Sequence, residues 1–182
     1  MNNVLIVCGH PDLQSSAANK TVLEEAQARI TGVVLDRIAD LYPDGMIDVQ
    51  AEQRKLLQAD VVVLQYPLYW YGMPSILQRW LETVFQHGFS HGRTGGKLRG
   101  KKLVASFTMA ASESQCEAQG FEPGQLIDTQ KRIARYAGML WAGFVATGGI
   151  FSIPGGSEAA FEQAKALGAD HAERLARLIE TL

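Results

Sequence analysis

Two short stretches carry the side chains best suited to chemistry. The first is GHPDLQSSAANK, residues 9–20, which leads from an apolar run into a helical pattern. A helix N-terminus offers unpaired N–H donors and the positive end of a dipole, an arrangement that suits a phosphate. Ser16 is spaced to cap that helix and to donate its hydroxyl, and Asn19 falls in the first turn, where it can point back. His10 stands at the strand end, with an imidazole able to donate to a phosphate oxygen. An ordinary capped helix with a turn-forming histidine accounts for the same residues equally well, since such caps are commonplace. The second stretch is YPLYWYGMP, 66–74, which sets Tyr69, Trp70 and Tyr71 between Pro67 and Pro74.

The elements that must position these residues follow from periodicity. NVLIVC (3–8) and DVVVLQY (60–66) are continuous apolar runs, as expected of strands buried on both faces, and VVLDRI (33–38) and KLVASFT (102–108) read as two more. A fifth strand is expected within 141–151. Between them, Val22, Leu23, Ala26 and Ile30 recur at helical spacing after Ser16, with Gly32 as a stop. AEQRKLLQ (51–58) makes a short helix after the YPDG turn. Ile76, Leu77, Trp80, Leu81, Val84 and Phe85 share one helix face, with Ser75 and Gln78 spaced as a capping box. Helices are also expected near 123–137 and 157–180, and 109–122 reads as a polar loop. Strands alternating with helices imply a parallel sheet covered on both sides, in one domain spanning 1–182. Ligands of such sheets sit beyond the C-terminal strand ends, where strand order reverses. Loops 9–19, 67–74 and 109–122 then meet at one site. Three aromatic rings there suit a flat heterocycle with polar rims. Joined to a phosphate-binding first loop, they predict a planar, phosphate-bearing ligand, and flavin mononucleotide (FMN) fits both halves. A hydrophobic dimer contact would use the same patch and is not exclusive of it.

Other motifs point elsewhere less well. GRTGGKL (92–98) is one residue short of a phosphate loop, lacks the Ser or Thr that would hold magnesium, and precedes a strand instead of following one. Arg93, Lys97, Arg99, Lys101 and Lys102 make a basic run that reads as a solvated connection or, less simply, as an attractor for a phosphorylated cosubstrate. His87 and His91 are four apart but separated by Gly88 with no carboxylate between them, so no metal site is expected. Cys8 reads as core and Cys116 as a loop thiol, and no serine sits in a nucleophile elbow. The 182 residues carry 17 Lys plus Arg against 19 Asp plus Glu, a balance that argues against nucleic acid as a partner. No apolar run approaches the roughly 20 residues a membrane span needs. Two cysteines without a CxxC pairing fit a reducing, cytoplasmic setting.

The chain resembles flavodoxin-like NAD(P)H:quinone oxidoreductases, in the branch that holds the ancillary subunits of glutathione-regulated potassium-efflux systems. The similar features, in order, are HPDLQSSAANK (10–20), LYPDGMID (41–48), the run 52–84 containing PLYWYGMP, HGFSHG (87–92) and LRGKKL (98–103). The resemblance implies a flavodoxin-like α/β fold, a five-stranded parallel sheet in the order 2-1-3-4-5 with helices on both faces. It implies FMN held at His10, Ser16, Ala17, Ala18 and Asn19, with the ring packed on Leu68, Tyr69, Trp70 and Tyr71 and a third contact after strand four. FAD is less expected, because the chain is short and shows no insertion to cover an adenosine. Where relatives carry Thr-Thr-Gly-Gly at the third contact, this sequence has Thr108, Met109, Ala110 and Ala111. Alanine held in the glycine conformation would cost roughly 1–2 kcal/mol, about a tenfold loss of FMN affinity. The tyrosine and histidine that some relatives use beside the reduced flavin are absent from 112–124, so no catalytic acid or base is assigned. The implied activity is two-electron transfer from NADH or NADPH to a quinone, by a cytoplasmic homodimer. The other implied role is a regulatory subunit docked on the inner face of the membrane against a potassium-efflux protein, with little or no activity of its own.

Overall fold

The computed structural model describes residues 2–151 and 156–182. Five parallel strands, β1 (Val4–Cys8), β2 (Val34–Arg37), β3 (Val61–Pro67), β4 (Lys102–Thr108) and β5 (Leu140–Thr147), form one sheet in the order β2-β1-β3-β4-β5. β1 and β3 are buried along their whole length because helices cover both faces, which is why they read as unbroken apolar runs. On one face lie α1 (Ala17–Arg29) and the long α7 (Glu158–Glu180), packed on Val4, Ile6, Val61, Val63, Val104 and Val145. On the other, α3 (Val49–Gln58), α4 (Ser75–Val84) and α6 (Asp128–Tyr136) cover Leu5, Val7, Val62, Leu64, Leu103 and Phe107. Strand order reverses between β1 and β3, which fixes where a ligand crevice must lie. Among the described residues no helix is long and apolar enough to cross a membrane.

Several expectations are corrected. The capping box at Ser75 and Gln78 does not form. Pro74 takes the N-cap position without a side-chain cap, and Gln78 donates instead to Glu82, 2.8 Å away. A four-residue helix α2 (Ile38–Leu41) precedes the YPDG turn, and α5 (Glu113–Ala118) forms inside the expected polar loop. That helix has its own capping box: the Ser112 hydroxyl accepts from the Gln115 N–H, and the Gln115 side chain accepts from the Ser112 N–H. The Ser-x-x-Gln spacing that announces it is plain in the sequence. α5 carries Cys116 into the core, so this residue is a buried thiol and not a loop one. Cys8 is buried as expected, and burial pushes its thiol up to about 11.

Tyr42 of the LYPDGMID segment joins a buried polar cluster. Glu52 is fully buried and accepts from the Tyr42 hydroxyl (2.6 Å), the Lys55 ammonium (2.6 Å) and the Trp80 indole N–H (2.8 Å). Lys55 also donates to the buried Asp36 at 2.7 Å, leaving the second Asp36 oxygen, Oδ2, without a partner. Burial and the neighbouring Glu52 push the Asp36 carboxyl up to about 7. Burial opposes ionisation of Glu52 as well, but its neighbour Asp36 and the hydrogen bonds it accepts from Lys55, Tyr42 and Trp80 outweigh it and hold its carboxyl down at about 2. One lysine thus serves two buried carboxyl groups, and this cluster pins β2, α3 and α4 together.

Candidate cofactor site

Loop 9–16, between β1 and α1, is built as a set of hydrogen-bond donors. The Asp12 N–H donates to Nδ1 of His10 at 3.1 Å, so the neutral ring carries its proton on Nε2 and can donate it outward. Burial lowers the His10 pKa, against the opposing charge of Asp12, and so favours the neutral form. Ser16 caps α1: its hydroxyl oxygen accepts from the Asn19 N–H (3.3 Å) and from Asn19 Nδ2 (3.1 Å). Both lone pairs are engaged, and the hydroxyl hydrogen is left to donate. Asn19, 3% exposed, is held on all sides, donating to Thr108 Oγ1 (3.0 Å) and accepting from Gln65 Nε2 (2.9 Å). The methyl groups of Ala17 and Ala18 are buried with Ala164 of α7, so only their backbone is available to a ligand. The helices meet this closely because Gly168 faces Ala18. A Cβ on Gly168 would lie 2.7 Å from the Ala18 carbonyl oxygen.

Loop 68–74, after β3, forms a two-residue hairpin. Tyr69 and Gly72 exchange backbone hydrogen bonds at 3.0 and 2.9 Å, and the residues between them, Trp70 and Tyr71, sit at φ of 48° and 63°. Both central residues in the left-handed region define the tightest hairpin turn, which normally takes Asn and Gly. Trp70 is 97% exposed. Tyr71 makes an edge contact with Phe121, ring centroids 5.9 Å apart, which adds to the aromatic surface a residue the sequence reading did not single out. Burial and then the charge of Asp12 both raise the Tyr69 pKa, so the first and third loops lie within electrostatic reach of each other. The Leu68 N–H donates to the Thr108 carbonyl at 2.7 Å, joining the β3 and β4 loops.

The loop after β4 departs from the sequence expectation. Ala110 and Ala111 are not in the left-handed region, where Trp70 and Tyr71 are the only non-glycine residues among those described. No conformational penalty falls on these alanines, and the expected loosening of FMN on that account is withdrawn. Close approach is granted by a different glycine. A Cβ on Gly148 would lie 2.4 Å from the Ala111 carbonyl oxygen, and Gly149 and Ile150 donate to the carbonyls of Ala111 and Met109. The Met109 side chain is buried, its terminal methyl close to Gly148, leaving its backbone at the loop.

Sequence reasoning missed the polar row beneath these loops. On the α1/α7 face the valines of β3, β4 and β5 give way near the strand ends to Gln65, Ser106, Thr108 and Thr147, all buried. Ser106 donates to Gln65 Oε1 and lies 2.7 Å from His171 Nε2, and His171 Nδ1 lies 2.7 Å from Thr147 Oγ1. Arg174 donates to Thr147 Oγ1 (2.6 Å) and to the Ala146 carbonyl (3.0 Å) while paired with Asp170. Burial, with the Arg174 charge, pushes fully buried His171 down to about 3, so it is neutral. The signal was available: three successive strands each end with a polar residue at the same period-two position.

A cavity of about 710 Å³ opens elsewhere, beside β5, between Phe121, Phe144 and Arg174 and the carboxylates of Glu113, Glu117 and Glu122. Three acids make it a poor host for a phosphate. His87 and His91 stack edge to face at 5.7 Å, and His91 lies over Tyr136 at 5.0 Å; no metal-binding cluster occurs among the described residues.

A family model described as a flavodoxin-like fold matches residues 2–171. The glutathione-regulated potassium-efflux system ancillary protein KefF of Klebsiella aerogenes is 41% identical over 140 residues, covering 76% of this chain and 78% of that protein. Among solved structures, general stress protein 14 of Treponema denticola, in complex with FMN, superposes with a TM-score of 0.84 at 24% identity, covering 97% of this chain and 99% of the other. An NADPH-quinone reductase of P. pentosaceus superposes with a TM-score of 0.73 at 23% identity over 94% and 98% of the two chains. With its 2-1-3-4-5 sheet, the match over 2–171 and this close relative, the chain belongs to the flavodoxin-like family.

Proposed function

We propose that the chain is an FMN-dependent NAD(P)H:quinone oxidoreductase, acting as a single domain within a homodimer. The observation that carries the reading is the junction of two loops at the strand-order switch: donors from His10 Nε2 and the Ser16 hydroxyl beside the N-terminus of α1, and an exposed aromatic hairpin next to them. The first suits a phosphate monoester, the second a flat heterocycle, and FMN contains both. His10, Ser16, Asn19 and the backbone of Ala17 and Ala18 would hold the phosphate and its chain. Leu68, Tyr69, Trp70 and Tyr71 would bear the ring, with the backbone of Thr108, Met109, Ala110 and Ala111 along its edge. Bound flavin supplies two-electron chemistry between a nicotinamide donor and a quinone, while the protein orients the reactants and excludes competing ones. Two structurally similar proteins, one solved in complex with FMN and one an NADPH-quinone reductase, support the same reading.

A second role is favoured by the 41% identity to KefF: peripheral attachment to a membrane potassium-efflux protein on its cytoplasmic side, with enzymatic turnover secondary. The alanines of the β4 loop lend it no support, since they impose no strain. The deciding measurement is a visible absorption spectrum of the purified protein, before and after anaerobic NADH or NADPH. Flavin bands that bleach, and turnover on added quinone, are expected. A colourless protein that takes up no added FMN refutes the enzyme.

A further inference from the structure

The buried polar row beneath the site is a relay with a direction. It runs from Arg174 through Thr147, His171, Ser106 and Gln65 to Asn19 and Ser16, each link within hydrogen-bonding distance. Every central member can either donate or accept at each contact: the two hydroxyls rotate, the imidazole has two tautomers, and the two amides can turn over. Two self-consistent arrangements therefore exist. In the first, Thr147 donates to His171 Nδ1, Nε2–H donates to Ser106, Ser106 donates to Gln65 Oε1, and the Gln65 amide donates to Asn19 Oδ1. Asn19 Nδ2 then faces Ser16 and Thr108, and the Ser16 hydrogen is free. In the second, every bond reverses, Asn19 presents its oxygen to Ser16, and the Ser16 hydroxyl is consumed inside the protein.

The end of the row breaks the tie. Arg174 has no acceptor and can only donate, and Asp170 and the Ala146 carbonyl hold its guanidinium in place. Thr147 therefore accepts from Arg174. In the first arrangement its own hydrogen passes on to His171. In the second it would accept from both neighbours, and its buried hydrogen would have no acceptor among them, a costly state. We propose that Arg174, on the same face of the sheet but three strands from loop 9–16 at the β5 edge, is a positioning residue that sets the direction of this relay and so keeps the Ser16 hydroxyl as a donor to the flavin phosphate. The inference rests on the FMN reading and deepens it. The relay makes this corner of the site donor-only, selecting an anionic phosphate monoester over a neutral alcohol, and hence FMN over riboflavin. Among the relay residues with a buried side chain, His171 reports the direction directly through its tautomer.

Three proteins test this: the full chain, Arg174→Met and Arg174→Lys. Nitrogen-15 NMR of the imidazole of His171 gives the tautomer without any ligand, and fluorescence titration gives affinities for FMN and riboflavin. The full chain is expected to show His171 with its proton on Nε2 and to prefer FMN. In Arg174→Met the tautomer becomes mixed and FMN affinity falls roughly two- to tenfold, as the fraction in the competent arrangement falls. Riboflavin affinity stays unchanged, and Arg174→Lys, which restores a donor, recovers both readouts. His171 protonated on Nδ1 in the full chain overturns the proposal, as does an unchanged FMN-to-riboflavin ratio in Arg174→Met, even if flavin binds well. A full chain that takes up neither flavin overturns the function itself, whatever the tautomer.

Discussion

Trp70→Asn should make the ligand-free protein more stable while harming the site. Trp70 and its neighbour occupy a turn whose backbone an ordinary side chain enters at a cost of roughly 1–2 kcal/mol per residue. Asparagine adopts this conformation with less strain and is the preferred first residue of such a turn. At 97% exposure the indole has almost no packing to lose, so most of the strain relief should appear as stability, about 1 kcal/mol. For a chain of this length that corresponds to a melting temperature roughly 2–4 °C higher. Tyr71→Gly is the useful contrast, because it forfeits the edge contact with Phe121, worth about 0.5–1.5 kcal/mol, and should come out near neutral. Thermal and urea unfolding of the apoprotein measure both changes, and FMN titration of the same samples should show Trp70→Asn binding more weakly. An apoprotein no more stable than the parent would refute the reasoning, since the ring would then be making contacts that offset the strain of its turn.

Other outcomes follow from the same geometry. His10→Ala and Asn19→Ala should each weaken FMN binding by about 1–3 kcal/mol in a fluorescence titration; Asn19→Ala should also lower the melting temperature, because it strips Gln65 and Thr108 of a buried partner. The double variant Ala110→Gly with Ala111→Gly should leave FMN affinity unchanged and reduce stability by about 1–2 kcal/mol in urea, because glycine adds freedom to the unfolded chain at positions that do not need it. Asp36→Asn should raise stability at pH 8 and flatten the profile between pH 4 and 7. The folded Asp36 carboxyl stands near 7, above its unfolded value of 3.8, so its contribution is complete below pH 4 and is lost as pH rises through 7. An asparagine amide could also occupy the position of the unpartnered oxygen. A denaturation series across pH that shows the same slope in both proteins would exclude this account.

The sequence was most readable where one physical pattern dominates. Unbroken valine and leucine runs located β1 and β3, and Ser16 was identified as a cap because a hydroxyl before a helical period has little else to do. Strand order came from family likeness, since local pattern does not encode which strand pairs with which. The failures share a cause. Ser75 was expected to cap α4, but Pro74 directly before it already has the extended backbone of an N-cap, and its ring leaves no side-chain acceptor there. α5 is only six residues long, too short for an apolar period to stand out, although its box spacing was visible. The alanines of the β4 loop were judged on a conformation borrowed from glycine-bearing relatives, while the glycine that permits the contact sits 37 residues downstream of Ala111, at Gly148. The polar strand ends were overlooked because each appears as one residue in a separate segment and gains meaning only when the sheet aligns them.

The placement of the two thiols bears on how long such a molecule would last at its work. Quinones are electrophiles, and a sulfur nucleophile within reach of one is arylated through its thiolate. Cys8 closes β1 immediately before loop 9–16, the worst place for such a group. With its pKa near 11, only about one molecule in ten thousand carries the thiolate at pH 7, and the sulfur lies under α1 and α7. Cys116 is equally enclosed beneath α5. A catalyst handling such acceptors would need its own sulfur shielded from its substrate, and here the strand that carries the first loop supplies that shielding, so inactivation by quinone should require unfolding first.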